Sequence, residues 1–336
     1  MHRNLQPVKS LTVQVTHVYS PQRRPKAHAS AALVRPVLSL HYATMTTVSQ
    51  KYAQRNGKPL FICDFSPPRG ADLSTVQQVK DVGADFVCVA YSPGKSVRVD
   101  STVVAYLLRQ GGQDAIFNLV CRDMNKLAIQ NHLLGAQLLG LANVLVLQGD
   151  AFTKADLATV KDVSDYRSVD LIRAIVALNQ GVDFRGLKLR APTSFCIGAA
   201  INLGASNLEQ EASLARKKVE AGADFFLTQA FYEVDRAKQF LAHYRRLAGH
   251  EFPKPVFYGL QILEKDGLVF GDVPESTRRD LERGRPATEI ALAQLNDYVK
   301  NGLTCVYLIP PILRGGRRNY DAAREVVAAF RGQAMH

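Results

Sequence analysis

An eight-stranded parallel (β/α)8 barrel, the TIM-barrel class, is the fold this sequence predicts, and three observations predict it. From residue 59 onward short β-rich runs alternate with amphipathic stretches, eight of each, which is the pattern of repeated βα units around a parallel sheet. Several helical stretches close on Gly where a left-handed cap is needed. VKDVGADFVCV (79–89) and VEAGADFFLT (219–228) both run helix end, Gly, Ala-Asp, strand, so one unit is repeated within the chain.

The expected strands are PLFICDF, ADFVCVAY, AIFNLVC, NVLVLQG, SFCIGAA, ADFFLTQ, PVFYGLQ and TCVYLIP, each apolar and β-rich over strand length. Between and after them LSTVQQVKDVG, DSTVVAYLLRQ, NKLAIQNHLLGAQLLG, SVDLIRAIVALN, NLEQEASLARKKVEAG, VDRAKQFLAHYRRLAG, ATEIALAQLNDYVKNG and YDAAREVVAAF carry apolar residues at helical spacing. A doubly wound open sheet is the alternative. It is disfavoured because no G-x-G-x-x-G follows the first strand and no G-x-x-x-x-G-K-[ST] occurs.

The 336 residues, 47% hydrophobic and 21% charged, suit one large core or two ordinary domains. No apolar run approaches the roughly 18 residues that cross a bilayer. Cys63, Cys88, Cys121, Cys196 and Cys305 each sit in a short apolar run without a C-x-x-C pair, which argues for buried, reduced thiols in the cytoplasm and against a zinc site. The net charge of +12 is local: residues 1–63 hold nine Lys or Arg and no acid, leaving 33 basic against 30 acidic residues beyond. Residues 1–50 are therefore set aside as a basic leader. Unstructured sequence, a targeting peptide and a basic tail for nucleic acid or lipid all fit its composition, and Met45 offers an internal start. Residues 51–336 are expected to form the barrel. The leader has few aromatics and no recognisable nucleic-acid module, so no nucleic-acid partner is expected, nor a membrane.

Barrel enzymes take their reacting groups from the carboxyl ends of strands. Here those ends carry Asp64, Tyr91, Asn118, Asp150, Gln229 and Gln261, all expected on one face. Each alone could equally be a cap or turn residue. Asp64 stands out because Pro67-Pro68 removes two backbone donors and stiffens the exit that follows it.

CDFSPPRG (63–70), FNLVCRDMNKLAIQNHLLGAQLLGLANVLVLQGD (117–150) and EAGADFFLTQAFYEV (220–234), in order and at barrel-compatible spacing, resemble the methylenetetrahydrofolate reductase family, over about residues 59–314. SPPRG, CRDMN, LLG and GAAIN are most similar to the reductase module fused to homocysteine methyltransferases. The resemblance implies reduction of 5,10-methylenetetrahydrofolate to 5-methyltetrahydrofolate, with hydride from NADH or NADPH passed through FAD, and a homo-oligomer. It places the family's ring-opening acid on Asp64, where the family has Glu, with a carboxyl of raised pKa suited to general-acid work. It places folate contacts on Asp150, Gln229 and Gln261. Cofactor contacts fall on Tyr91, Asn118, Gln148, Gly149, Asp150, Asn202, Lys217 and Lys218. Several of these depart from the family pattern: Asn118 replaces His, Gln148 replaces Arg, and Asn202 to Ser206 replaces Tyr-Pro-Glu-x-His. A flavin-free reductase with direct hydride transfer, or a non-catalytic folate-binding subunit, are the alternatives these departures leave open.

Overall fold

A computed structural model of the chain describes residues 46–333. Its eight strands are β1 (Leu60–Phe65), β2 (Phe86–Val89), β3 (Ala115–Val120), β4 (Asn143–Leu147), β5 (Cys196–Ile201), β6 (Phe225–Ala230), β7 (Val256–Gln261) and β8 (Cys305–Ile309). They close in sequence order into a barrel, all neighbours parallel, with β8 returning to β1. The helices are α1 (Val48–Gln54), α2 (Ser74–Gln77), α3 (Ser101–Gln110), α4 (Lys126–Leu138), α5 (Lys154–Leu157), α6 (Ser168–Asn179), α7 (Leu208–Ala221), α8 (Val234–Ala248), α9 (Glu275–Glu282), α10 (Ala287–Lys300) and α11 (Tyr320–Gln333). None is long and apolar enough to cross a membrane.

Strand alternation divides the apolar residues between two cores. Leu60, Ile62, Phe86, Cys88, Ile116, Leu145, Phe225, Leu227 and Phe257 fill the barrel interior, while Phe61, Phe65, Val87, Phe117 and Val144 pack outward under the helices. Gly198 is set by this interior. A Cβ there would lie 2.4 Å from the Phe225 ring, so only a residue without a side chain lets Phe225 occupy the axis. The five cysteines are buried and unpaired.

Two expectations change. Residues 48–50, assigned to the leader, belong to α1, whose Thr47–Gln50 capping box starts a helix that packs Val48 and Tyr52 against the interior cluster. Asn143 at the start of β4 fastens it, accepting from Val48 N at 2.9 Å and donating to Thr46 O at 3.1 Å. The apolar Val48 and the Thr cap were visible in the sequence but fell before the first strand and were set aside with the acid-free segment. The expected helix at 73–83 is reduced to the single turn α2. Val76, Gln78 and Lys80 donate to carbonyls three residues back, and the buried Val76, Val79 and Val82 recur every third residue, a tighter period than an α-helix keeps.

Candidate active site at the carboxyl rim of the barrel

A cavity of about 340 Å³ opens over the carboxyl ends of β2 to β6. Three local devices build it.

The first is the turn after β4. Gly149 has φ +85°, and a Cβ there would meet Arg122 Cβ at 3.1 Å, so the position demands Gly for both conformation and close approach. The turn lets Arg122 Nη1 donate to Asp150 O at 2.8 Å, while its Nε and Nη2 grip the two Asp123 oxygens at 2.6 and 2.8 Å. Its guanidinium also lies 4.2 Å from the centre of the Phe152 ring. Gln148 Oε1 accepts from Ser168 N, tying the same turn to the start of α6.

The second is a bulge in β6. Leu227 pairs with Phe257 but Ala230 pairs with Gly259, so β6 carries one residue more than β7 over this stretch. Thr228 Oγ1 donates to Gln229 O and accepts from Gly259 N, both at 2.8 Å, which fixes the kink. A Cβ on Gly259 would stand 2.5 Å from Gln229 O, so the partner strand needs Gly where the bulge crowds it. The result is that Gln229 is exposed to the cavity in a strand whose other residues are buried.

The third is the β5–α7 corner. Lys218 is buried and donates from Nζ to Ala200 O at 2.6 Å; burial holds its ammonium below the ordinary lysine range, with Glu211 acting the other way. Glu211 Oε1 accepts from Asn202 N at 3.0 Å. On the β2 side, burial and the neighbouring Asp123 push the Tyr91 phenol up to about 12, so Tyr91 enters the cavity as a neutral hydroxyl.

Tyr91, Gln148, Gly149, Asp150, Asn202, Lys218 and Gln229 thus line one cavity, as expected. Four expected residues do not. Lys217 is exposed on α7 while its neighbour Lys218 turns inward, because successive helical residues face about 100° apart; the pair is split. Gln261 is buried and committed to the loop after β7, donating to Leu268 O at 2.7 Å and accepting from Phe270 N at 2.8 Å. Asn118 is 5% exposed, one layer down in the barrel, where Cys88 Sγ donates to its Oδ1 at 3.1 Å.

Asp64 is the fourth. It points inward above Ile62, and Tyr307 Oη donates to its Oδ1 at 2.7 Å. Arg318 Nη2 stands 2.9 Å from Oδ2, off the hydrogen-bonding direction, so that oxygen has a charge partner without an aligned donor. Burial and the Asp64 charge push the Tyr307 and Tyr320 hydroxyls well up, and burial foremost does the same to the Cys63 and Cys88 thiols. The sequence suggested a carboxyl with its proton ready to give. In the structure Asp64 accepts from a hydroxyl and pairs with a guanidinium. Arg122 and Arg318, which organise the two halves of the rim, were assigned no role from the sequence. Arg122 was legible as a charge directly after a buried strand; Arg318 lies nine residues beyond β8, where spacing carries no signal.

A closed parallel barrel with a polar, titratable cavity over its carboxyl rim defines the class: a (β/α)8 protein of enzyme-like design. The family profile described as methylenetetrahydrofolate reductase matches residues 48–263, and the chain belongs to that family. A Caenorhabditis elegans protein named "Probable methylenetetrahydrofolate reductase (NADPH)" is 26% identical over 215 residues, covering 60% of this chain and 30% of its own length. Methylenetetrahydrofolate reductase 2 of Schizosaccharomyces pombe is 24% identical over 274 residues, covering 73% of this chain and 41% of that protein. The chain therefore spans about a third to two fifths of the curated relatives it matches. A solved Clostridium thermocellum protein, described as binding two copies of 5-methyl-5,6,7,8-tetrahydrofolic acid, shares the fold at TM-score 0.58 and 14% identity, over 86% of this chain and all of that one.

Proposed function

We propose that this chain reduces 5,10-methylenetetrahydrofolate to 5-methyltetrahydrofolate, with hydride from NADH or NADPH. The observation that carries the reading is the joint presence, on one cavity of a chain of this family, of Asp150 and Gln229. An Asp accepts from a pterin's amino and ring N–H groups, and an amide both donates and accepts. The β6 bulge, which turns Gln229 alone out of a buried strand, supports its assignment to substrate.

FAD, the family's usual cofactor, would place a diphosphate in this cavity, and the cations that line it do not fit one. Lys95 Nζ is 2.6 Å from Asp156 Oδ2 and Arg122 grips Asp123, which leaves Lys218 as the one lining cation without a carboxylate in contact, among the described residues. Asp150 and Glu211 face the same space. No step is therefore routed through flavin, and hydride passes from the nicotinamide to the folate directly.

Ring opening needs a proton on the leaving nitrogen as the other nitrogen forms an iminium. Asp64 is assigned that proton transfer, with Tyr307 orienting its Oδ1. Asp150 and Gln229 bind and orient the pterin, and Arg122 keeps the turn that carries Asp150 in place. The five buried free cysteines suit a reducing compartment, so the reading keeps the enzyme cytoplasmic, and it takes the homo-oligomer from the family resemblance as part of the proposal.

The test is anaerobic oxidation of NADH or NADPH in the presence and absence of 5,10-methylenetetrahydrofolate, with 5-methyltetrahydrofolate measured by mass spectrometry and the visible spectrum recorded beforehand. Folate-dependent oxidation, equimolar product and no flavin band are expected. Folate that binds but is never reduced by either nucleotide sinks the enzymatic reading, and a stoichiometric flavin band sinks direct transfer.

A further inference from the structure

A second cavity of about 340 Å³ lies on the same rim between the loop after β1 and the loop before α11. Arg69, Arg98, Arg317 and Arg318 line it. Among the described residues none of Arg69, Arg98 and Arg317 is within ion-pair distance of a carboxylate. Asp72, the one acid in the lining, has its oxygens taken by Ser74 N and Ser74 Oγ at 2.9 Å and by Thr75 Oγ1 at 3.3 Å. Four guanidinium charges therefore meet two carboxylates, Asp72 and, beneath Arg318, Asp64.

Surface arginines are usually satisfied by water, and Arg69 and Arg317 alone would need no other explanation. Arg318 is different. Its side chain is 8% exposed, its Nε is buried with no hydrogen-bond partner, and its one ion pair is off-axis. A buried guanidinium N–H left unmade is costly, so its persistence asks for an acceptor. Arg98 points the same way. Its Nη1 donates to Pro67 O and its Nε to Ser96 Oγ, both at 3.0 Å, which pins the guanidinium against the rigid Pro67-Pro68 corner. Burial, then the charges of Arg69 and Arg318, hold Arg98 below the usual arginine range. Gly315 and Gly316, both near φ +80°, turn the chain along the cavity just ahead of Arg317 and Arg318.

We propose that this arginine cavity is an oxyanion-binding subsite that takes a carboxylate or phosphate group carried by one of the two reactants, with Arg318 as its floor. The proposal rests on the folate-reductase reading for its ligand sources: the glutamate carboxylates at the tail of the folate and the phosphates of the nicotinamide dinucleotide. The two share the chemistry that a fork of arginines recognises. The site also complements the first cavity, whose cations are largely spent on internal partners. An anion bound to Arg318 would compete with Asp64 for the guanidinium, which links occupancy of this subsite to release of the assigned acid.

The test uses Arg69→Ala and Arg69→Ala/Arg317→Ala, both exposed positions whose loss leaves the core intact. Inorganic phosphate is titrated calorimetrically into wild type and variants. The affinity of 5-methyltetrahydrofolate is then compared with that of a tetrahydropterin lacking the aminobenzoylglutamate, and the reduced dinucleotide with reduced N-methylnicotinamide. Phosphate should bind the wild type and weaken about tenfold or more in the double variant, a change worth about 1.4 kcal/mol. One full-length reactant should weaken similarly while its stripped counterpart is unchanged, and which one does so identifies the source. Phosphate that fails to bind the wild type, or that ignores both substitutions, overturns the proposal. So do equal losses for full and stripped reactants. Failure of folate reduction with arginine-dependent phosphate binding retained would count against the folate-reductase reading alone.

Discussion

Replacing Asp64 by Asn separates its chemical role from a structural one that the sequence did not reveal. The Asp64 and Arg318 side chains are 7% and 8% exposed, so removing the carboxylate leaves a guanidinium in the barrel without its counter-charge. Breaking a buried pair from one side costs about 3–5 kcal/mol, far more than a surface pair. The off-axis contact places the expectation at the lower end. At roughly 2–4 °C per kcal/mol for domains of 150–250 residues, the melting temperature should fall by on the order of 10 °C. Arg318→Met together with Asp64→Asn should recover most of that loss, because the uncompensated charge goes with it. Urea unfolding gives the energies, and single-turnover folate reduction on protein kept well below its midpoint gives the chemistry. The folate step should slow by about 10²- to 10⁴-fold in Asp64→Asn, and the double variant should be stable yet equally slow. If Asp64→Asn unfolds within about 0.5 kcal/mol of wild type, the pair is not coupled to the core. If the double variant reduces folate normally, Asp64 is a structural partner and the acid lies elsewhere on the rim.

Gln229→Ala should weaken folate binding by about 0.5–1.5 kcal/mol, the net worth of a neutral hydrogen bond, and leave nicotinamide affinity unchanged; equal losses in both titrations would move Gln229 away from the pterin. Gly259→Ala should cost more than Gln229→Ala in folate affinity although it touches no ligand, because its Cβ must displace the Gln229 carbonyl that shapes the bulge. A chain beginning at Met45 should melt as the full chain does. One beginning at Lys51 loses buried Val48 and the Thr47 cap, an expected cost of about 2–4 kcal/mol by urea titration. Burial raises the thiols of Cys63, Cys88, Cys121, Cys196 and Cys305 above their ordinary value near 9, two of them to about 11. The folded state then holds protons that the unfolded chain releases, so stability is full below pH 9 and should fall as pH climbs from 9 toward 11. Flat stability across that window would mean the thiols are accessible in the native state.

The barrel was legible because its signals are local. Each strand is a short apolar run bounded by Gly or a charge, and closure follows from the number of βα units. What could not be read was the direction in which rim side chains point. Gln229 and Gln261 end their strands with the same amide, yet one enters the cavity and the other clamps a loop. The difference is one extra residue in β6, which is specified jointly by Thr228 and by Gly259 on the next strand, 31 residues away in sequence. Lys217 and Lys218 were read as a pair because they are adjacent, whereas a helix sends neighbours to different faces. Gly149 was placed on the rim only as a contact implied by the resemblance and was read as the end of a strand; its turn, at φ +85°, depends on the close approach of Arg122 from the preceding βα unit, which spacing does not show.

The Asp64–Arg318 pair is the strongest reason to regard the two rim cavities as parts of one device. Arg318 belongs to the lining of the arginine cavity, but its only charge partner among the described residues is the acid assigned to ring opening. Tyr307 anchors Asp64 from the opposite oxygen, so movement of Arg318 changes the charge balance at Asp64 without disturbing its position. An anionic group that draws Arg318 outward would leave Asp64 beside the Tyr307 hydroxyl and the thiols of Cys63 and Cys88, without the guanidinium that holds its Oδ2. Chemistry would then be coupled to the arrival of a complete reactant, since a fragment without its anion leaves Arg318 where it is. The consequence is kinetic. Stripped reactants should lose turnover by more than they lose affinity, and in Arg318→Met that excess loss should vanish. An Arg318→Met enzyme that still turns over full reactants disproportionately faster than stripped ones would break the link between the two cavities.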